Sequence, residues 1–201
     1  FNEFSSEHNN SITWRHLLQQ TSEWEGTLWS KPDQVDRNRQ VGSNANDSQK
    51  GQARQLMEPG GYWEYNDVRV NLAALCLTRL FEMSLSDVLR KNIMDPIDAS
   101  HSWEWHGYRN SYIEIKGQLV QSVSGGAHWG GGLWISSLDH ARMGLLISRQ
   151  GRWGNVEILP EHCLGPLFTP CPLNLNYGFL WWLNSNRSLF PGAGESSVFA
   201  Y

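Results

Sequence analysis

Cysteine is scarce in this chain: three among 201 residues, at Cys76, Cys163 and Cys171. That is an odd number without metal-ligand spacing. Cys76 falls on the apolar face of a predicted helix and reads as a small core residue, whereas Cys163 and Cys171 could pair but are not required to. The seven histidines form no His-x-x-x-His pair and no Glu-x-x-His helix pattern, which argues against a metal site. No apolar run approaches the length of a membrane span. Charged residues make up only 18% and the net charge is -4, with no basic stripe to suggest a nucleic-acid partner. A Gly-x-Ser-x-Gly elbow is missing, which disfavours an α/β-hydrolase. The glycine-rich stretch near residue 128 lacks the Lys-Ser/Thr of a phosphate cradle. No cofactor is implied.

What is present in excess is tryptophan, 11 residues in a chain that is 40% hydrophobic. That composition supports one sizeable core and a single domain. Tryptophan buries a large area and keeps an N–H donor, so such a chain has either an aromatic-lined pocket or a heavily packed aromatic core.

Along the chain, Ser11-Ile12-Thr13 supplies a cap before the short helical run Trp14 to Leu18. From Lys31 to Glu58 the sequence is polar and reads as a long surface excursion. Pro59-Gly60-Gly61 marks a turn, and Val68 to Phe81 follows with a strong helical pattern. Ser84 or Ser86 caps a second helix that runs towards Met94 and stops at Asp95-Pro96. His101 to Asn110 reads as a polar, aromatic loop. Tyr112 to Val120 alternates around Lys116-Gly117 as a hairpin. After the Ser124 to Gly132 loop, Ser137 is placed as the cap of a helix through Ile147, and Pro160 to Phe168 forms another. Tyr177 to Leu183 is a strand candidate with Ser197 to Tyr201 as its partner. Helices first and strands later predict an α+β chain, a helical subdomain followed by part of an antiparallel sheet. The chain starts at Phe1 without a signal-peptide pattern and stops inside a predicted strand. The expectation is therefore that residues 1–201 are part of a longer domain, with its compartment unspecified.

The richest chemistry lies in Gly61-Tyr62-Trp63-Glu64-Tyr65-Asn66-Asp67, just before the apolar helix. A phenol and two short polar side chains at a helix start are well placed for proton transfer from a rigid element. The alternative is a core tyrosine hydrogen-bonded at a helix start. The Gly125 to Gly132 loop permits close backbone approach to a ligand, with His128 and Trp129 as candidate contacts. A tight connection with unusual backbone angles would have the same composition. His106 is a weaker candidate of the same kind.

Five segments, in order, resemble the β-lactamase-related serine hydrolases, the group of class C β-lactamases, D-aminopeptidases, related esterases and 6-aminohexanoate-dimer hydrolases. They are Ile12 to Ser22, Pro59 to Leu75, Leu85 to Ser100, Gly131 to Gly144 and Tyr177 to Trp182, and together they span most of the chain. The resemblance implies a serine β-lactamase/transpeptidase-like fold, an acyl-enzyme and an ester or amide substrate, β-lactams among them. It makes Tyr65 the catalytic tyrosine of the Tyr-x-Asn signature, Asn66 the variable middle position and Asp67 the counterpart of the asparagine. Asp67 is a departure, because an ionised carboxylate only accepts hydrogen bonds whereas asparagine also donates. Asn66 is then the candidate donor to substrate. The nucleophile signature Ser-x-x-Lys occurs nowhere in these residues and is expected before Phe1, with the last sheet strands after Tyr201. A non-catalytic, aromatic-rich binding module on the same fold is the competing expectation.

Overall fold

The computed structural model describes residues 1–33, 54–125 and 131–199. Most of the polar excursion after Lys31 lies outside them, as do His128 and Trp129. The described residues form an α+β arrangement: five α-helices, short 3-10 turns, and small antiparallel sheets of two or three strands.

Helix α1 spans Trp14–Leu18 and is closed by a capping box, Thr13 accepting from the His16 N–H while the His16 ring accepts from the Thr13 N–H. Strands β1 (Thr27–Leu28) and β2 (Lys31–Pro32) make a minimal hairpin. The central element is α2, Asp67–Phe81. It ends at Glu82, whose left-handed φ of 51° stops the helix. Its Val68, Leu72, Leu75 and Cys76 pack with Leu17, Trp24 and Leu28 in one buried cluster. Burial pushes the Cys76 thiol up to about 12, marking it as an inert core residue. All three cysteines are free thiols.

Ser84, not Ser86, caps α3 (Leu85–Leu89), which continues as a π-helical turn to Met94. A second cluster joins Met94 and Ile97 to Trp103 and Leu146. Leu146 belongs to α4, Ser137–Ser148. The cap of α4 is Ser136 rather than Ser137: the Ser136 hydroxyl accepts from the Asp139 N–H at 3.1 Å. Helix α5 is Glu161–Leu167 behind Pro160.

The predicted loop at His101 to Asn110 is instead the first half of a long strand, β3, Glu104–Ile115. It earns its length by pairing with different partners at its two ends. Residues Glu104 to His106 pair with β5 (Gly132–Trp134), and Tyr112 to Ile115 pair with β4 (Gln118–Val123). Between them the register shifts at Gly107, where a Cβ would sit 2.1 Å from the Ser122 carbonyl. Its polar residues Glu104, Arg109 and Asn110 face solvent, which made the stretch read as a loop. The predicted hairpin turn is present, with φ of 52° at Lys116 and 80° at Gly117. Two positive values in a two-residue loop match a type I′ turn.

Strands β6 (Arg152–Trp153) and β7 (Val156–Glu157) form another short hairpin. The predicted strand at Tyr177 to Leu183 is reduced to β8, Trp182–Leu183, because the backbone turns through Gly178 and a left-handed Leu180 with φ of 59°. Its predicted partner is retained as β9, Val198–Phe199. Among the described residues, no helix is long and apolar enough to cross a membrane.

Candidate active site

The segment before α2 is laid down on residues 20 and 21. Gly60 N–H donates to the Thr21 carbonyl at 2.8 Å, Glu64 N–H to the Gln20 carbonyl at 3.0 Å, and Asn66 N–H to Gln20 Oε1 at 2.9 Å. Gly60 adopts φ of 92°, and a Cβ there would stand 3.1 Å from the His16 ring. Both features favour glycine at this point. Asn66 then caps α2: its Oδ1 accepts from the N–H groups of Val68 and Arg69, and its Nδ2 donates to the Asp33 carbonyl at 3.1 Å. Both ends of its amide are committed and the residue is fully buried. Asn66, expected as a substrate donor, is thus placed as the helix cap. Asp67 occupies the first turn of α2 and is buried, where the positive end of the helix dipole favours its charge.

Tyr65, one residue before the cap, is half-buried. Its ring stacks on Trp182, with centroids 6.1 Å apart, and meets Tyr177 edge-on at 6.3 Å. Trp63 presents its edge to the same two rings. Tyr65, Tyr177 and Trp182 share the wall of a cavity of about 180 Å³ with Trp105 and Gly125. The tyrosine is therefore brought together with the start of the glycine-rich loop. Gly125 is pinned there. Its N–H donates to Asn71 Oδ1 at 2.9 Å, and a Cβ on it would lie 2.0 Å from Val70. Asn71 Nδ2 donates to Tyr108 Oη at 2.8 Å, and Ser124 Oγ lies 3.1 Å from the same phenol. His106 stands apart from the cavity, paired with Glu104 at 2.9 Å and edge-on to Trp134.

Beneath this segment is a charge network that sequence reasoning missed. Arg69 and Glu23 are fully buried and lie 2.9 Å apart. Arg54 spans Glu23 at 2.6 Å and Glu64 at 2.9 Å, while Asp33 is 3.5 Å from Arg69. The Met57 N–H adds a bond to Glu23. Burial alone would raise the Glu23 pKa. The Arg54 hydrogen bond, the Arg69 charge and the Met57 N–H outweigh it and hold the carboxyl below its ordinary value. Glu64 is chemically bonded to Tyr65, so the network fixes the backbone on which the phenol is carried. The available signal was Arg69 itself, a cation on the apolar face of α2 that needed a buried partner.

The family model for β-lactamase matches residues 2–106, more than half of the chain. The chain belongs to the β-lactamase family. No curated protein matches it. Among solved structures, it is similar to a protein named for the β-lactamases from Bacteroides dorei DSM 17855, with a TM-score of 0.61 and 18% identity. That alignment covers 90% of this chain and 55% of the other. It is also similar to a penicillin-binding protein from Bacillus halodurans, with a TM-score of 0.52 and 20% identity, covering 86% and 56% respectively. The chain thus spans little more than half the length of these structures. At such identities the likeness shows the β-lactamase-like α+β fold.

Proposed function

We propose that these residues are the tyrosine-bearing part of a serine hydrolase that cleaves an ester or amide through an acyl-enzyme. Tyr65 is the proton-transfer group. The observation that carries the reading is the placement of Tyr65. Its backbone is locked by the Glu23–Arg54–Arg69 network, while its half-buried ring faces a cavity that also receives Gly125. A group that moves a proton at each turnover needs a rigid base and an accessible face. The serine and lysine come from outside these 201 residues, which contain no Ser-x-x-Lys. The serine attacks the substrate carbonyl, the lysine and Tyr65 relay its proton to the leaving group, and water then releases the acyl group. Asp67, in place of an asparagine, accepts rather than donates, which favours pairing with that lysine over holding a substrate carbonyl. In this reading His128 and Trp129 contact substrate from the glycine-rich loop.

The test is Tyr65→Phe in the intact protein, assayed with nitrocefin and p-nitrophenyl butyrate. The expected result is a fall in kcat of about 10²–10⁴-fold with little change in KM. An unchanged kcat would leave Tyr65 as part of an aromatic wall and would favour a non-catalytic binding module.

A further inference from the structure

We infer that Asn71 is a positioning residue: with Trp105 it fixes the peptide group between Ser124 and Gly125 beside Tyr65, and so sets how well substrate is held there. The inference deepens the proposed function, because it assigns a residue to substrate binding as distinct from proton transfer. It rests on that reading for the step from position to turnover.

Asn71 lies inside α2 and is 2% exposed, although asparagine is a poor helix former and is costly to bury without partners. The other buried polar residues of α2 have their own roles. Asp67 sits in the first turn, Arg69 belongs to the ion network, and Thr78 Oγ1 donates to the Ala74 carbonyl of its own helix at 2.8 Å. Asn71 commits both ends of its amide off the helix. Its Nδ2 donates to the Tyr108 phenol of β3 at 2.8 Å. Its Oδ1 accepts from the Gly125 N–H at 2.9 Å and lies 3.2 Å from Ser124 Oγ, just past the end of β4. Tyr108 and Ser124 are buried as well and stand 3.1 Å apart, so the three side chains form a closed polar cluster. Apolar residues could fasten α2 to β3 and β4. A satisfied polar cluster also fixes their relative orientation.

What the cluster orients is one peptide group. The Ser124 carbonyl accepts from Trp105 Nε1–H at 2.7 Å, and the Gly125 N–H of the same peptide bond donates to Asn71. A peptide unit is planar, so two side chains on its opposite edges set the position and tilt of the whole plane. The backbone lies directly on α2 here, since a Cβ on Gly125 would stand 2.0 Å from Val70. Gly131 closes on the same cluster, where a Cβ would meet Ser124 Cβ at 2.4 Å and the Tyr108 ring at 3.1 Å. Tyr65 immediately precedes the cap of the helix that carries Asn71. The phenol and the peptide group thus share one rigid mount and border the same space. Moving the peptide group alters the fit of substrate while leaving the proton-transfer group in place.

The experiment uses the intact protein with nitrocefin and p-nitrophenyl butyrate. Asn71→Ala should raise KM about tenfold with kcat held within about twofold, the pattern of lost binding and the reverse of Tyr65→Phe. Asn71→Asp, whose carboxylate still accepts from the Gly125 N–H, should recover most of that loss. Tyr108→Phe removes a hydroxyl from the same cluster but spares the Gly125 bond, so it should shift KM less than Asn71→Ala does. Hydrogen exchange of the peptide containing Gly125 should quicken in Asn71→Ala, and that of the peptide containing Tyr65 should not. Should Asn71→Ala fail to fold, Asn71→Ser, too short to reach Gly125, takes its place. An unchanged KM, a rise in KM as large in Asn71→Asp or Tyr108→Phe, or unaltered exchange at Gly125 would each overturn the inference. If Tyr65→Phe leaves kcat unchanged, the proton-transfer reading fails while KM and exchange still decide this one. If Asn71→Ala leaves KM unchanged while Tyr65→Phe lowers kcat, the failure is confined to Asn71.

Discussion

Glu23 and Asp139 are both carboxylates with no exposed surface, yet the two are satisfied in opposite ways. Glu23 is held chiefly by cations, two guanidinium groups from Arg54 and Arg69, with the Met57 N–H as a neutral donor. Asp139 is held chiefly by neutral donors, the Ser100 hydroxyl at 2.6 Å, the Ser100 N–H and the Ser136 hydroxyl, with Arg142 at the edge. The Ser100 bonds, aided by Ser136 and Arg142 and opposed by burial, hold its pKa down to about 2. The difference lies in how many segments each joins. Asp139 staples the start of α4 to one distant segment, at Ser100. Glu23 gathers residues 54, 57 and 69, with Glu64 joined through Arg54. Of the two, the node that joins more segments is the one beneath the candidate catalytic tyrosine.

That contrast can be broken first at the cations. Arg69→Met removes a charge from the fully buried Arg69–Glu23 pair and leaves Glu23 with one guanidinium. It should cost about 3–5 kcal/mol, the usual penalty for stranding one member of a buried pair. Urea unfolding of the two chains measures it. The double change Glu23→Gln with Arg69→Met should cost clearly less than the two single changes added together. Strict additivity would show that the two residues are not coupled.

Acid separates the carboxylates next. Both have folded pKa values below their ordinary ones, so each stabilises the fold above its unfolded pKa and loses that contribution as pH falls. For Asp139 the loss runs from about pH 4, near the unfolded value, down to about 2. Asp139→Asn should therefore be less stable than the unaltered chain at pH 7, with the gap closing over that window. Thermal melts at a series of pH values record it, and a gap that stays constant would contradict the assignment. Ser136→Ala, which removes both the α4 cap and one Asp139 donor, should cost about 1 kcal/mol. Arg142→Met should have the smallest effect on the melting temperature, since Arg142 is partly exposed and the Ser100 and Ser136 donors remain.

Much of the local structure was legible in the sequence. The α2 helix declared itself by periodicity, and the Thr13 cap, a second cap at Ser84 or Ser86 and the Lys116-Gly117 turn followed from side-chain chemistry acting within three or four residues. What escaped were features set by distant partners. β3 looked like a loop because its polar residues face solvent and its two ends pair with different strands. The strand at Tyr177 shrank because Leu180 takes a left-handed conformation that no local signal announces. At the candidate site, the position of Tyr65 before the helix was readable. The double commitment of Asn66 was not, since its second partner is the Asp33 carbonyl. The ion network was hidden for the same reason, its members being scattered between residues 23 and 69.

One hydrogen bond joins pieces that are made far apart in time. Leu180 N–H donates to the Leu18 carbonyl at 2.9 Å, joining the end of α1 to the stretch that carries Tyr177 and Trp182. During synthesis the chain emerges from its N-terminus, so α2 and the network under Tyr65 can assemble while the far wall has yet to be made. The contact between residues 18 and 180 is strongly non-local, the kind whose loop-closure cost slows folding. On the ribosome, the tyrosine is made before Tyr177 and Trp182, the rings it packs against.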